Sequence, residues 1–359
     1  MRLTLPLSVA RPLIFATVSA RLIMGVFLDM PWLYNAGWIS ALAALVLCVP
    51  LGMLADSFTR LSGPGDIAGA LEREAGKAPT RIICGALCLL AIYETAVTAR
   101  VLSNTVRHVA LSEASAISLL LPLLIVAMLA AYFNGLALGS AARIWVKIIP
   151  FLLLIVILLQ MKSYHAAWLT PVLGPGAEVL ATGAVSASGW LSLTAMIWLC
   201  AEKDDHAASL RTPVLGPVLI TGIYCALVLA LLAMMSPPSV RTDLTRTYQL
   251  DKMLANGRAS QASQLPLIIL WYNSLIFTVS TNLFLGAKLM QLTIPKLDGR
   301  LAVLLAGVAA GATAMFGLAE QGTTVELSQW LFALVGALFA VLLLLPVLKG
   351  GKKACARSK

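Results

Sequence analysis

About ten times between its ends this chain of 359 residues runs apolar for the length of a membrane-spanning helix. A hydrocarbon core about 30 Å thick needs roughly 20 such residues per crossing. The runs cover residues 13–30, 36–55, 81–107, 115–133, 142–160, 177–200, 212–235, 263–290, 300–318 and 327–348. With 60% hydrophobic and 12% charged residues, the composition excludes an ordinary soluble domain. The expectation is an all-α polytopic membrane protein.

Lys and Arg in short loops stay on the cytoplasmic side, and they set the expected orientation. Arg2 and Arg11 precede the first run; Arg60, Arg73, Lys77 and Arg81 separate the second from the third; Lys296 and Arg300 separate the eighth from the ninth. A basic tail, residues 349–359, follows the tenth. Both termini are therefore expected in the cytoplasm. The loop 236–262 carries four cations on the opposite side, where its length weakens the rule. The net charge of +10 reads as topology and affinity for anionic lipid, and no nucleic-acid partner is expected. The first run carries no convincing cleavage site and reads as a spanning helix.

Signatures of enzymes are absent: no HExxH, no GxSxG, no zinc-type cysteine pairing. No catalytic role, cofactor or metal is implied. Cys84 and Cys88 share a helical face with no His or carboxylate beside them. "GALEREAGKAPT" (69–80) superficially suggests a phosphate loop, but its glycine spacing is wrong and Ala78 stands where Ser or Thr must meet Mg²⁺. It reads as a short amphipathic surface helix with Ile67, Leu71 and Ala75 on one face. "TDLTRTYQLDKMLANG" (242–257) reads the same way.

Split five and five, the runs match: the third and eighth are the longest, and the first and sixth each carry Val-Ser-Ala near mid-helix, at 18–20 and 185–187. That placement fits an inverted 5+5 repeat in which the first helix of each half is broken and exposes backbone to a midplane site. The halves are then residues 13–160 and 177–348 of a single transporter-like domain.

"AGWISALAALVL" (36–47), "GDIAGALEREAGK" (65–77), "YFNGLALGSAARI" (132–144) and "WLTPVLGPGAEVLATGAV" (168–185), with the helix near 242–257, resemble the permease-type B subunit of GerA-class spore germinant receptors. That family belongs to the amino acid, polyamine and organocation transporter superfamily. The resemblance implies a LeuT-like fold, a spore inner-membrane location and an amino-acid-like ligand. It also implies two partner subunits, one a large membrane protein and the other a lipoprotein. Where the family has a Gly-containing break in the first helix this chain has Ser19-Ala20-Arg21, and its acidic position in the sixth aligns with Thr194, Glu202 following later.

Charge inside the apolar runs marks the candidate site. At 1.5 Å per residue from Arg81, Glu94 lies about 20 Å into the third helix. Arg21 lies near the centre of the first, and charges so deep should face the interior and pair. Tyr93 and Arg100 share one stripe of the third helix, Glu94 and Thr98 another. Together with Ser19, Ala20, Ser186, Ser188, Gly189, Asn273 and Thr278, these residues make the expected pocket among helices one, three, six and eight. A plainer reading stays open: an Arg21–Glu94 pair locks helices together, and Ser186, Ser188 and Gly189 simply allow close packing. Function is expected to be sensing of a small nutrient; the alternatives are a permease coupled to H⁺ or Na⁺, with Glu94 carrying the proton, or a subunit without a ligand.

Overall fold

The computed structural model describes residues 3–24, 36–61, 65–109, 115–159, 165–170, 176–188, 190–203, 214–234 and 260–317, with 330, 331, 334 and 337. Nearly all of it is helix: α1 (Leu7–Met24), α2 (Gly37–Leu61), α3 (Ile67–Ala75), α4 (Lys77–Val109), α5 (Ala116–Tyr132), α6 (Asn134–Leu159), α7 (Ala177–Ser188), α8 (Trp190–Leu199), α9 (Leu215–Ala233), α10 (Ser260–Thr293) and α11 (Gly299–Ala312). A π-helical turn, Thr313–Gly317, continues α11. The tenth expected span and the 242–257 helix lie outside the described residues, apart from four positions of the former.

Five of these helices carry stretches long and apolar enough to cross a membrane, and α1, α5 and α9 hold shorter apolar segments. The sixth expected span is helical on both sides of residue 189, as α7 and α8, and residue 189 itself lies outside the described residues. The break expected in the first helix is not found. α1 begins at Leu7, earlier than the apolar run suggested, and is continuous through Ser19-Ala20-Arg21 to Met24. No break occurs at those three residues.

The two longest helices, α4 with 33 residues and α10 with 34, pack against each other as the central pair. Their register is antiparallel: Gly85 faces Thr293, the Cys88 thiol donates to the Gly286 carbonyl at 3.3 Å, and a Cβ on Gly286 would sit 3.3 Å from Ile92. Third and eighth helices running opposite ways is what an inverted repeat requires. α1 threads between α6, α8, α9 and α10, while α2 packs on α7 and α9. Of the apolar window in α10, 72% is buried; in α6 the figure is 28%, so α10 is core and α6 is rim.

The short α3 shows how local chemistry sets an element. The Asp66 carboxylate caps it by accepting from Ala68 N–H at 3.2 Å, and Ile67, Ala68, Ala70 and Leu71 bury its inner face. Gly76, at φ 100°, turns the chain directly into α4, a conformation few other residues adopt.

The rim helix α6 carries a feature the apolar pattern did not announce. Leu138, Ala142 and Ile149 are its buried face, whereas Arg143 and Lys147 are exposed beside Ile144 and Phe151. In lipid, a cation at the centre of a spanning helix costs about 3 kcal/mol.

Candidate functional site

Continuing the α4–α10 register past Ile92 sets Glu94, Thr95 and Thr98 opposite the stretch Thr278–Asn282. Thr98 stands two turns beyond Ala91, on the face that meets α10. Glu94, Thr95, Thr98, Thr278 and Thr281 are 0% exposed and Asn282 is 1% exposed. A helix interior offers hydroxyls one easy partner, the carbonyl four residues back. Thr95 takes it from Ala91 at 2.7 Å, Thr278 from Ser274 at 2.8 Å and Ser280 from Ile276 at 2.9 Å. Thr98 and Thr281 do not: among the described residues their hydroxyls, like the Asn282 side-chain carbonyl, make no hydrogen bond. Leaving a buried polar atom unpaired costs about 1–3 kcal/mol, so three of them at about the depth of a buried carboxyl are costly unless something polar reaches them.

Thr194 is a fourth such atom, on α8. It borders a small void of about 20 Å³, room for one water, lined by Val18, Ala44, Ala187, Val218 and Thr221.

The other expected site residues distribute as follows. Arg100 is half-buried and its Nη1 donates to the Ala314 carbonyl at 2.6 Å, inside the π-helical turn. Such turns displace carbonyls from the regular ladder, and here a guanidinium takes one. Tyr93 is half-buried on α4, and Asn273 is exposed on α10. Ser19 is buried on α1 and faces α9, where the Cys225 thiol lies 3.9 Å from its carbonyl; Ala20 is half-buried next to it. The side chains of Arg21, Ser186 and Ser188, and all of Gly189, lie outside the described residues, and the expected Arg21–Glu94 pair lies outside them too.

Sequence reasoning missed a second polar assembly, at the end of the bundle that holds the amino terminus. Lys288, 1% exposed on α10, donates to the Leu3 carbonyl and pairs with Glu202 at 2.9 Å. Glu202 N–H donates to the Leu5 carbonyl at 2.8 Å, and Gly65–Asp66 pairs antiparallel with Glu202–Lys203 as a two-stranded ribbon. Leu3 N–H donates to Gln291 at 3.0 Å; Thr4 exchanges two hydrogen bonds of 2.8 Å with the Asn134 side chain. Lys203 Nζ donates to the Thr59 carbonyl at 2.9 Å. The segment before α1 is thus tied to α10, to the chain after α8 and to the start of α6. A cavity of about 550 Å³ opens beside it, lined by Asp66, Glu72, Arg81, Lys288, Lys296 and Asp298. Nearby, the buried Asp56 carboxylate accepts from Val214 and Leu215 N–H at 2.9 and 3.4 Å, capping α9. The one signal for the Lys288 assembly was a lysine within the apolar run 263–290.

Residues 32–315 match the spore germination protein family. The chain belongs to that family. Its fold is shared with a manganese transporter of Eremococcus coleocola: against a point-mutant form the TM-score is 0.58 at 17% identity, covering 92% of this chain and 76% of that one. The same transporter bound to an aromatic bis-isothiourea substituted compound gives 0.56 at 16% identity. At such identity the likeness carries the fold alone, which is LeuT-like. No curated protein sequence matches significantly. Family and fold together make this a multi-pass membrane protein of permease or germinant-receptor type. They are a family and fold of transporters and receptors, not of enzymes.

Proposed function

We propose that the chain is a germinant receptor subunit that binds a small nutrient, an amino-acid-like molecule, between α4 and α10. The observation that carries this reading is that Thr98 on α4 and Thr281 and Asn282 on α10, at about the depth of Glu94, each hold a buried polar atom without a partner among the described residues. An ammonium group suits a carboxyl and an amide carbonyl; threonine hydroxyls serve as donor or acceptor. A broken sixth span presents helix-end N–H groups to a ligand carboxylate, and the break expected at Ser188-Gly189 would supply them here. In this reading the single domain has halves 13–160 and 177–348 with a basic tail at 349–359. Both termini face the cytoplasm of the spore, and partner subunits read the shift in conformation.

The test is thermal unfolding of the purified chain in nanodiscs against each common amino acid. One of them should raise the midpoint by several degrees, and Asn282→Leu should abolish that rise while the unliganded protein stays folded. If no amino acid shifts the midpoint, and spores carrying Asn282→Leu germinate normally on every nutrient, the reading fails. The transporter fold supports a second reading, coupled uptake with Glu94 as the proton carrier. Gradient-driven uptake of a labelled amino acid that Glu94→Gln uncouples would select it.

A further inference from the structure

The rim helix α6 carries two cations where lipid should be. Tyr132 and Phe133, exposed just before α6, lie with Arg300 stacked 5.4 Å over the Tyr132 ring, the signature of a membrane–water interface. The apolar stretch begins at Asn134, not at 142 as the sequence pattern suggested, and counting from there at 1.5 Å per residue Arg143 is about 14 Å and Lys147 about 20 Å into a core about 30 Å thick. Both are exposed. Their side chains reach about 6–7 Å, which falls well short of a headgroup phosphate at that interface. Leu136, Arg143, Lys147 and Leu154 share one arc of about 40° on the helix. Leu136 and Leu154 are 54% and 51% exposed, so the stripe is apolar above and below the charges, unlike the polar lining of a water-filled cleft. Ser140 is exposed beside it, a small residue that lets a second helix approach closely.

We propose that this face of α6 docks a transmembrane helix of another polypeptide, one that carries a carboxylate at mid-membrane depth to meet Arg143 and Lys147. Among the described residues a second copy offers no acid at mid-span: Asp56 and Glu94 are buried, and the exposed Glu178 stands in the first turn of α7. The proposal is independent of the nutrient pocket.

A photo-crosslinking residue at Ile144 in the full chain, irradiated in its native membranes, tests it, with Ile220 on the exposed face of α9 as control. The expected product is an adduct at Ile144 alone, to a protein whose crosslinked peptide lies in an apolar run with an internal Asp or Glu. Arg143→Glu with Lys147→Glu should cut its yield at least tenfold, and Lys in place of the partner's acid should restore it. The Arg143→Leu, Lys147→Leu chain should also lose the adduct, yet melt at a higher temperature than wild type when purified alone in nanodiscs. Four results would overturn the proposal: no excess of adduct over Ile220, an adduct to a second copy, a yield indifferent to charge reversal, or a leucine double variant that melts no higher.

Discussion

The two polar assemblies of the bundle differ in how completely they are satisfied. At the amino-terminal end, Lys288, Glu202, Gln291, Asn134 and the carbonyls of Leu3 and Leu5 form a set in which each named group has a partner from a different part of the chain. Midway along α4 and α10, equally buried hydroxyls and an amide carbonyl have none among the described residues. A satisfied network inside a low-dielectric interior holds segments in one arrangement, while an unsatisfied one is poised to accept a polar guest. The first assembly has the chemistry of a latch, the second that of a receptacle. In the proposed mechanism, occupancy of the receptacle is felt along α10, since Asn282 and Lys288 sit on the same helix about 9 Å apart along its axis.

Four substitutions break or sharpen that contrast. Lys288→Met should be the most damaging. It strands Glu202 and the Leu3 carbonyl, and losing one partner of a buried pair costs about 3–5 kcal/mol. The lower end applies because the Glu202 side chain is 27% exposed. Unfolding of the detergent-solubilised protein measures the loss, and adding Glu202→Gln should return part of it.

Gly135→Ala attacks the same latch sterically. A Cβ there would lie 2.6 Å from the Thr4 carbonyl and 2.8 Å from Leu5 and Phe284, all closely packed. Overpacking of this kind costs about 2 kcal/mol. Raised protease access to the segment before α1, at unchanged helix content, would show that the strap had been displaced.

Asp56→Asn keeps the shape of the α9 cap but removes its charge, for about 1 kcal/mol. Hydrogen exchange at Val214 and Leu215 should rise before the rest of α9 is affected. Thr98→Val is the mildest and the sharpest for the comparison. Because the hydroxyl it removes has no partner, stability should change by no more than about 0.5 kcal/mol or should improve. Nutrient response should nevertheless weaken about tenfold. A large destabilisation would show that this hydroxyl is part of a satisfied network, and the distinction between the two regions would collapse.

Periodicity and apolar length made much of this fold legible. Most expected spans correspond to observed helices, and the amphipathic α3 lies where its pattern set it. These features depend on composition over a few consecutive turns, which any reader of the chain can sum. The start of the first helix was misplaced because Arg11 and Pro12 look like a boundary. In the folded chain both lie within α1, with Arg11 near enough to Asp56 to feel its charge. Glu94 and Thr98 stood out as polar residues at depth, since lipid tolerates few of them. Arg100 stood out equally, yet only packing decided that its guanidinium meets a carbonyl of the π-helical turn. Likewise Lys288 finds Glu202 across 86 positions and Asp56 finds Val214 across 158. The sequence by itself determined which segments enter the membrane, because transfer free energy adds residue by residue along the chain. Only the tertiary structure decided which buried polar groups meet partners and which stand open, because that depends on distances of about 3 Å between helices remote in sequence.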